Sequence, residues 1–149
     1  LKPAAQAEGR LEHWQMAIKP GKPLAFGAVH RTDGSAALLL GLPGNPVSSF
    51  VTYLLCVTTV LRALQGAPTA LPAGLPARAD FDWPRPDKRR EFLRVRVNAA
   101  GGLDLFPNQS SGVLTSAVWA DGLVDNPSLQ VIRRGDTVRF LPLAELIAR

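Results

Sequence analysis

Between Gly66 and Pro86 the chain places Pro68, Pro72, Pro76, Pro84 and Pro86 among small residues and Gly74. Proline has no N–H to give a helix or a ladder and fixes its own φ, so no helix or central strand can run through such a stretch. The 149 residues are therefore expected to fold as two units, residues 1–66 and 78–149, joined by a semi-rigid linker over 67–77.

The first unit reads as α/β. Trp14, Met16 and Ile18 alternate with His13, Gln15 and Ala17, which predicts a strand ending at Lys19-Pro20-Gly21. A second strand is predicted over Leu24–Val29, followed by the turn Thr32-Asp33-Gly34-Ser35. Ala36 to Leu40 is apolar at every position, the pattern of a fully buried strand in a parallel sheet. After Gly41-Leu42-Pro43-Gly44-Asn45-Pro46 comes an apolar helix from about Val47 to Gln65. Asn45 suits its N-cap, Pro46 its first position, and Gly66 its stop.

The second unit is mostly β. Arg90–Val97, Leu103–Phe106, Gln130–Ile132 and Thr137–Leu141 are strand candidates, separated by turn signals at Gly101-Gly102, Asp121-Gly122 and Arg134-Gly135-Asp136. Val113–Ala120 is the one short helix expected there. Such a unit is expected to close into a small barrel or sandwich.

Composition removes several function classes. With 46% apolar and 19% charged residues, wholesale disorder is excluded. Cys56 is the single cysteine, so neither an internal disulfide nor a multi-cysteine zinc site is available. His13 and His30 stand far apart, which argues against a histidine metal site. Uninterrupted apolar runs fall short of the roughly 18 residues of a membrane span, and residues 1–20 lack a signal-peptide layout. A soluble, cytoplasmic protein without a membrane partner is the expectation. The net charge is +5, yet the excess is spread along the chain. Its densest cluster, Lys88-Arg89-Arg90, lacks the surrounding aromatic residues of a nucleic-acid surface. Small anions suit a few isolated cations better than nucleic acid does.

Four segments could carry chemistry. In Leu38–Phe50, glycines let backbone approach a ligand, and the loop runs onto a helix N-terminus whose free N–H groups favour an anion. Ser48 and Ser49 add hydroxyls; a tight strand-to-helix connection is the plain alternative. Lys19-Pro20-Gly21-Lys22-Pro23 holds two lysines between prolines, as an anion clamp or a solvated turn. Lys88 to Arg94 is a charged run that could also simply protect a strand edge. Gln109-Ser110-Ser111-Gly112 is a polar loop with a possible cap. A triad of Ser48, His30 and Asp33 has no nucleophile-elbow sequence behind it. Cys56 reads as a buried, inert thiol.

These segments, in order, resemble a known family. Met16-Ala17-Ile18-Lys19-Pro20-Gly21-Lys22-Pro23, Gly41-Leu42-Pro43-Gly44-Asn45-Pro46-Val47-Ser48, Arg89-Arg90-Glu91-Phe92-Leu93-Arg94 and Gln109-Ser110-Ser111-Gly112-Val113-Leu114-Thr115-Ser116 are similar to motifs of the molybdopterin molybdenumtransferases, the MoeA and gephyrin E-domain family. The resemblance implies insertion of molybdate into adenylylated molybdopterin with release of AMP, aided by Mg²⁺, in a homodimer. It implies a fold in which the C-terminal half of a three-layer α/β molybdopterin-binding domain precedes a barrel-like β domain. By the same resemblance Lys19, Pro43 and Pro46 fall in the catalytic cleft. Lys22, Gly44, Asn45, Ser48, Arg94 and Ser111 are implied to bind substrate, Arg94 and Ser111 as positions that could serve a partner subunit's cleft. Gln15 stands where many relatives carry a cation four residues before Lys19. No segment matches the family's metal-binding motif, so the Mg²⁺ ligands are expected upstream of this sequence. The chain then reads as a fragment that does not insert molybdenum by itself. A protein-binding scaffold of the gephyrin type is the alternative function.

Overall fold

The turn Thr32-Asp33-Gly34-Ser35 folds the chain back on itself, and the first sheet grows from that hairpin. In the computed structural model, which describes residues 2–148, the short helix α1 (Lys2–Ala7) leads into β1 (Gly9–Gln15). The two-residue strand β2 (Ile18–Lys19) follows, then β3 (Pro23–His30) and β4 (Ala36–Gly41). Strands β1, β3 and β4 form a three-stranded antiparallel sheet in the order β1-β3-β4.

Two expectations are corrected here. Ala36–Leu40 does not enter a parallel sheet: β4 pairs antiparallel with β3, and Leu38 is 50% exposed. The turn between them is far too short for the crossover that parallel neighbours require, so hairpin geometry overrides the all-apolar pattern. The predicted strand through Trp14, Met16 and Ile18 is split. The pairing of β1 shifts register twice and ends at Gln15, and Ile18 belongs to the other sheet.

Asn45 and Pro46 open one long helical rod: α2 (Pro46–Thr52), a π-helical turn (Tyr53–Val57) and α3 (Thr58–Leu64). By length and composition alone Pro46–Leu64 could cross a bilayer. Val47, Val51, Leu54 and Leu55 instead pack with Ile18, Phe92, Leu123, Leu141 and Leu146 in one apolar cluster. Helix α2 is thus clamped onto the second sheet.

That sheet has six strands. β5 (Leu75–Arg78), β6 (Arg90–Val97), β8 (Gly122–Asn126) and β9 (Thr137–Pro142) join β2 in the order β2-β6-β8-β9-β5, and β7 (Leu103–Leu105) also pairs β6. β2 is parallel to β6 and the other pairings are antiparallel. The path ends at β2 and β5, which do not pair, so the barrel is not closed. The fold is mixed and sheet-dominated, with few helices. Gln130–Ile132 contributes only an isolated bridge between Trp83 and Ile132. β8, which lies behind the turn signal Asp121-Gly122, is central and buried along its length. Leu75 starts a strand within the expected linker. The short helix α4 (Thr115–Trp119) falls inside the predicted 113–120, and α5 (Leu143–Ile147) follows β9 directly.

Gly122 opens β8 opposite Pro142 of β9, with no room for a side chain. A Cβ there would lie 2.2 Å from the Phe140 ring and 2.5 Å from the Leu141 carbonyl oxygen. Backbone cannot yield as a flexible side chain can, so Gly122→Ala is expected to destabilise by about 3 kcal/mol, read from the urea midpoint. A midpoint equal to that of the parent would mean that β8 and β9 are spaced more widely than described.

Candidate functional site

Parallel pairing of β2 with β6 sets Lys19 beside Glu91. The Lys19 Nζ donates to Glu91 Oε1 at 3.2 Å and lies 3.4 Å from Asp87 Oδ2. Glu91 is 1% exposed, and a carboxylate so buried must be hydrogen-bonded to be tolerated. Its Oε2 accepts from the Trp83 indole Nε1–H at 2.7 Å and from the Asp87 backbone N–H at 3.0 Å. Asp87 in turn takes both ends of the Arg89 guanidinium, at 2.9 and 2.8 Å.

Those bonds from Arg89, side chain first and then backbone N–H, hold the Asp87 carboxyl well below the usual carboxylate range. Since its folded pKa is lower than its unfolded one, the pair contributes stability above about pH 4, the ordinary aspartate value. That contribution is lost as pH falls further, through the folded pKa.

Gly21 follows the cis Lys19–Pro20 bond with φ at 122°. Only glycine adopts that conformation readily, and a Cβ there would meet Thr52 Cγ2 at 2.5 Å. The Lys19–Pro23 loop is thereby pressed against α2, with Lys22 projecting into solvent. Among the described residues Lys22 forms no ion pair.

The opposite wall comes from residues 109–111. Gln109 acts as a piece of strand: its Oε1 accepts the Arg94 N–H at 2.9 Å, and its Nε2 donates to the carbonyls of Arg94 and Phe106 at 3.0 and 2.9 Å. Arg94 is 1% exposed. Its guanidinium donates to Ser116 Oγ at 3.1 Å, the Ser110 carbonyl at 3.2 Å and the Phe92 carbonyl at 3.4 Å. Burial lowers its pKa to about 10. Arg94 therefore braces this loop from behind, and its placement does not match direct substrate contact.

Ser111 reaches across to the helix. Its carbonyl accepts the Val47 N–H at 3.1 Å, and its Oγ accepts from Asn45 Nδ2 at 3.0 Å. At the N-terminus of α2, where an anion site is expected, part of the donor set is thus engaged within the chain. Asn45 makes no side-chain cap bond, and the first free N–H of the helix is already spent on the 109–111 loop. Ser49 donates to the Pro43 carbonyl, fixing the turn from within. Pro43 is buried and Gly44 and Pro46 are exposed, and none of the three lines the cleft.

The outcome is a cleft of about 360 Å³ lined by Lys19, Lys22, Asn45, Ser48, Arg89 and Ser111, among others. Within one chain it unites five of the expected residues: Lys19, Lys22, Asn45, Ser48 and Ser111. Lys22 and Arg89 also border an adjoining hollow of about 500 Å³ that includes Gln15, Asp87 and Lys88. Lysine ammoniums, a guanidinium and hydroxyls converge there, a donor set suited to an oxyanion or phosphate. Sequence reasoning gives no site role to Asp87 or Trp83, and names Glu91 and Gln109 only as members of candidate segments. The charged run Lys88–Arg94 draws attention to its cations, and nothing local announces that Glu91 pairs with Lys19.

The C-terminal region of MoeA, domain IV, matches residues 76–143. The molybdopterin molybdenumtransferase of Haemophilus influenzae is 43% identical over 148 residues, covering 93% of this chain and 35% of the relative. The molybdenum cofactor synthesis protein cinnamon of Drosophila melanogaster is 35% identical, covering 80% of this chain and 20% of its own. A molybdopterin biosynthesis MoeA protein from Pyrococcus horikoshii superposes with a TM-score of 0.71 at 27% identity, over 95% of this chain and 34% of its own. The chain thus spans about a third of the length of the Haemophilus and Pyrococcus proteins and a fifth of cinnamon.

Proposed function

The chain belongs to the MoeA family of molybdenum cofactor biosynthesis, whose C-terminal portion it matches, and on that premise we propose that it forms the anion-binding cleft of a molybdopterin molybdenumtransferase. The reaction proposed is insertion of molybdate into adenylylated molybdopterin with release of AMP, in a cytoplasmic homodimer. The observation that carries this reading is the convergence of Lys19, Lys22, Asn45, Ser48 and Ser111 from three separate segments on one cleft. Substrates of this reaction are oxyanions and phosphates. Lys22 and Lys19 attract and seat them, while the Ser48 and Ser111 hydroxyls supply directional donors at short range.

Mg²⁺ does not fit the residues at hand. Both oxygens of Asp87 are held by Arg89, and both oxygens of Glu91 accept from Lys19, Trp83 or Asp87. Among the described residues no three His, Cys, Asp or Glu side chains come together. No step is assigned to the metal here.

Calorimetric titration with sodium molybdate, and separately with AMP, tests the proposal. Saturable binding of both is expected, weakening as NaCl is raised because the attraction is largely ionic. Heats indistinguishable from dilution at millimolar ligand, for both ligands, would leave the cleft without its proposed role.

A further inference from the structure

We infer that Glu91 is a positioning residue: from the floor of the cleft it fixes the Lys19 ammonium where an incoming anion meets it. The inference rests on the functional reading above but concerns a different residue, one that touches no substrate. Three observations carry it. Glu91 is 1% exposed, so it is not a ligand group offered to solvent. Its Oε2 is immobilised by two donors on its own side of the sheet, Trp83 Nε1 at 2.7 Å and the Asp87 N–H at 3.0 Å. Its other oxygen, Oε1, is then aimed across the β2–β6 pairing at Lys19 Nζ, 3.2 Å away. A lysine side chain has four rotatable bonds and loses much rotamer freedom when held. Here a rigid, buried carboxylate does the holding; with Asp87 Oδ2 also 3.4 Å from Nζ, the ammonium keeps a further N–H donor for a ligand.

The sign of the effect separates this role from simple electrostatics. Removing a negative charge near an anion site should tighten anion binding if charge alone matters. If Glu91 acts by holding Lys19, neutralising it should weaken binding instead. The chain contains four lysines, Lys2, Lys19, Lys22 and Lys88, so protein labelled with ¹³C at lysine Cε gives a spectrum sparse enough to assign by substitution.

The variant is Glu91→Gln, which keeps the shape and an acceptor for Trp83. A second variant, Trp83→Phe, keeps every charge and an aromatic ring while removing the indole donor, and so remains informative should the glutamine protein fold poorly. Each is measured for the heteronuclear NOE of Lys19 Cε without ligand and for molybdate affinity by calorimetry. In the parent, Lys19 is expected to show a higher NOE than Lys22. In both variants that difference should shrink, with molybdate affinity falling about tenfold in Glu91→Gln, the loss of one charge-assisted contact. Tighter molybdate binding by Glu91→Gln overturns the inference, as does a Lys19 signal unchanged in either variant. If the parent binds no molybdate, the functional reading fails by itself, and the Lys19 signal still decides whether Glu91 holds the ammonium.

Discussion

Arg94→Ala is expected to cost about 4 kcal/mol of folding stability, a large share of what a domain of this size has. Arg94 heads the fully buried side chains by volume, at 1% exposure in the middle of β6. Truncation opens a cavity that its neighbours in the sheet can fill only in part. It also strips a donor from the carbonyls of Ser110 and Phe92 and from Ser116 Oγ, and buried acceptors without donors are costly. One term runs the other way. The guanidinium is desolvated, which is why its pKa drops to about 10, and no carboxylate faces it among the described residues. Removing that charge relieves a penalty. Arg94→Met, which keeps most of the volume, is therefore expected to lie within about 1.5 kcal/mol of the parent. Both variants untie Ser110 from β6 and should loosen the Ser111 wall of the cleft. Chemical denaturation gives the two stabilities at matched m-values. If alanine is tolerated as well as methionine, the side chain is not packed as described.

The elements legible in the sequence were those with a local cause. The Asn45-Pro46 start and Gly66 stop placed the long helix within a residue or two of Pro46–Leu64, and the alternation in Arg90–Val97 gave β6. What failed was what depends on distant partners. Ala36–Leu40 is apolar throughout because strand and hairpin both tolerate it, and only the pairing with β3 decides. β8 was hidden behind its own turn signal, since Gly122 serves close approach to Phe140 and Leu141 as well as the turn. The site followed the same rule. Lys19, Lys22, Asn45, Ser48 and Ser111 stand out by motif, and the cleft unites them. Arg94 carries the right charge for a ligand contact, but its guanidinium is turned inward to Ser110 and Ser116. Asn45 has the right type for a cap but spends its amide on Ser111.

Removing both lysines should nearly abolish anion binding, and removing them singly should separate binding from folding. Lys19, Lys22 and Arg89 bring three positive charges to the cleft and its floor, against Asp87 and Glu91. The local balance is thus one positive charge, carried in effect by Lys22, because the other cations are already paired. Lys22→Ala is expected to lower molybdate affinity about tenfold, or about 1.4 kcal/mol, with an unchanged melting temperature, since an exposed lysine without an ion pair adds little to stability. Lys19→Ala should lower affinity to a similar degree and also cost about 1 kcal/mol of stability, because Glu91 stays buried with only neutral donors. In the double variant the local charge reverses sign, so the loss should exceed a hundredfold, and the affinity that remains should no longer fall with added salt. Calorimetry at two NaCl concentrations, alongside thermal melts of all three variants, distinguishes these roles. Retention of salt-sensitive molybdate binding by the double variant would place the anion elsewhere on the chain, and equal melting temperatures for the two single variants would remove Lys19 from the Glu91 network.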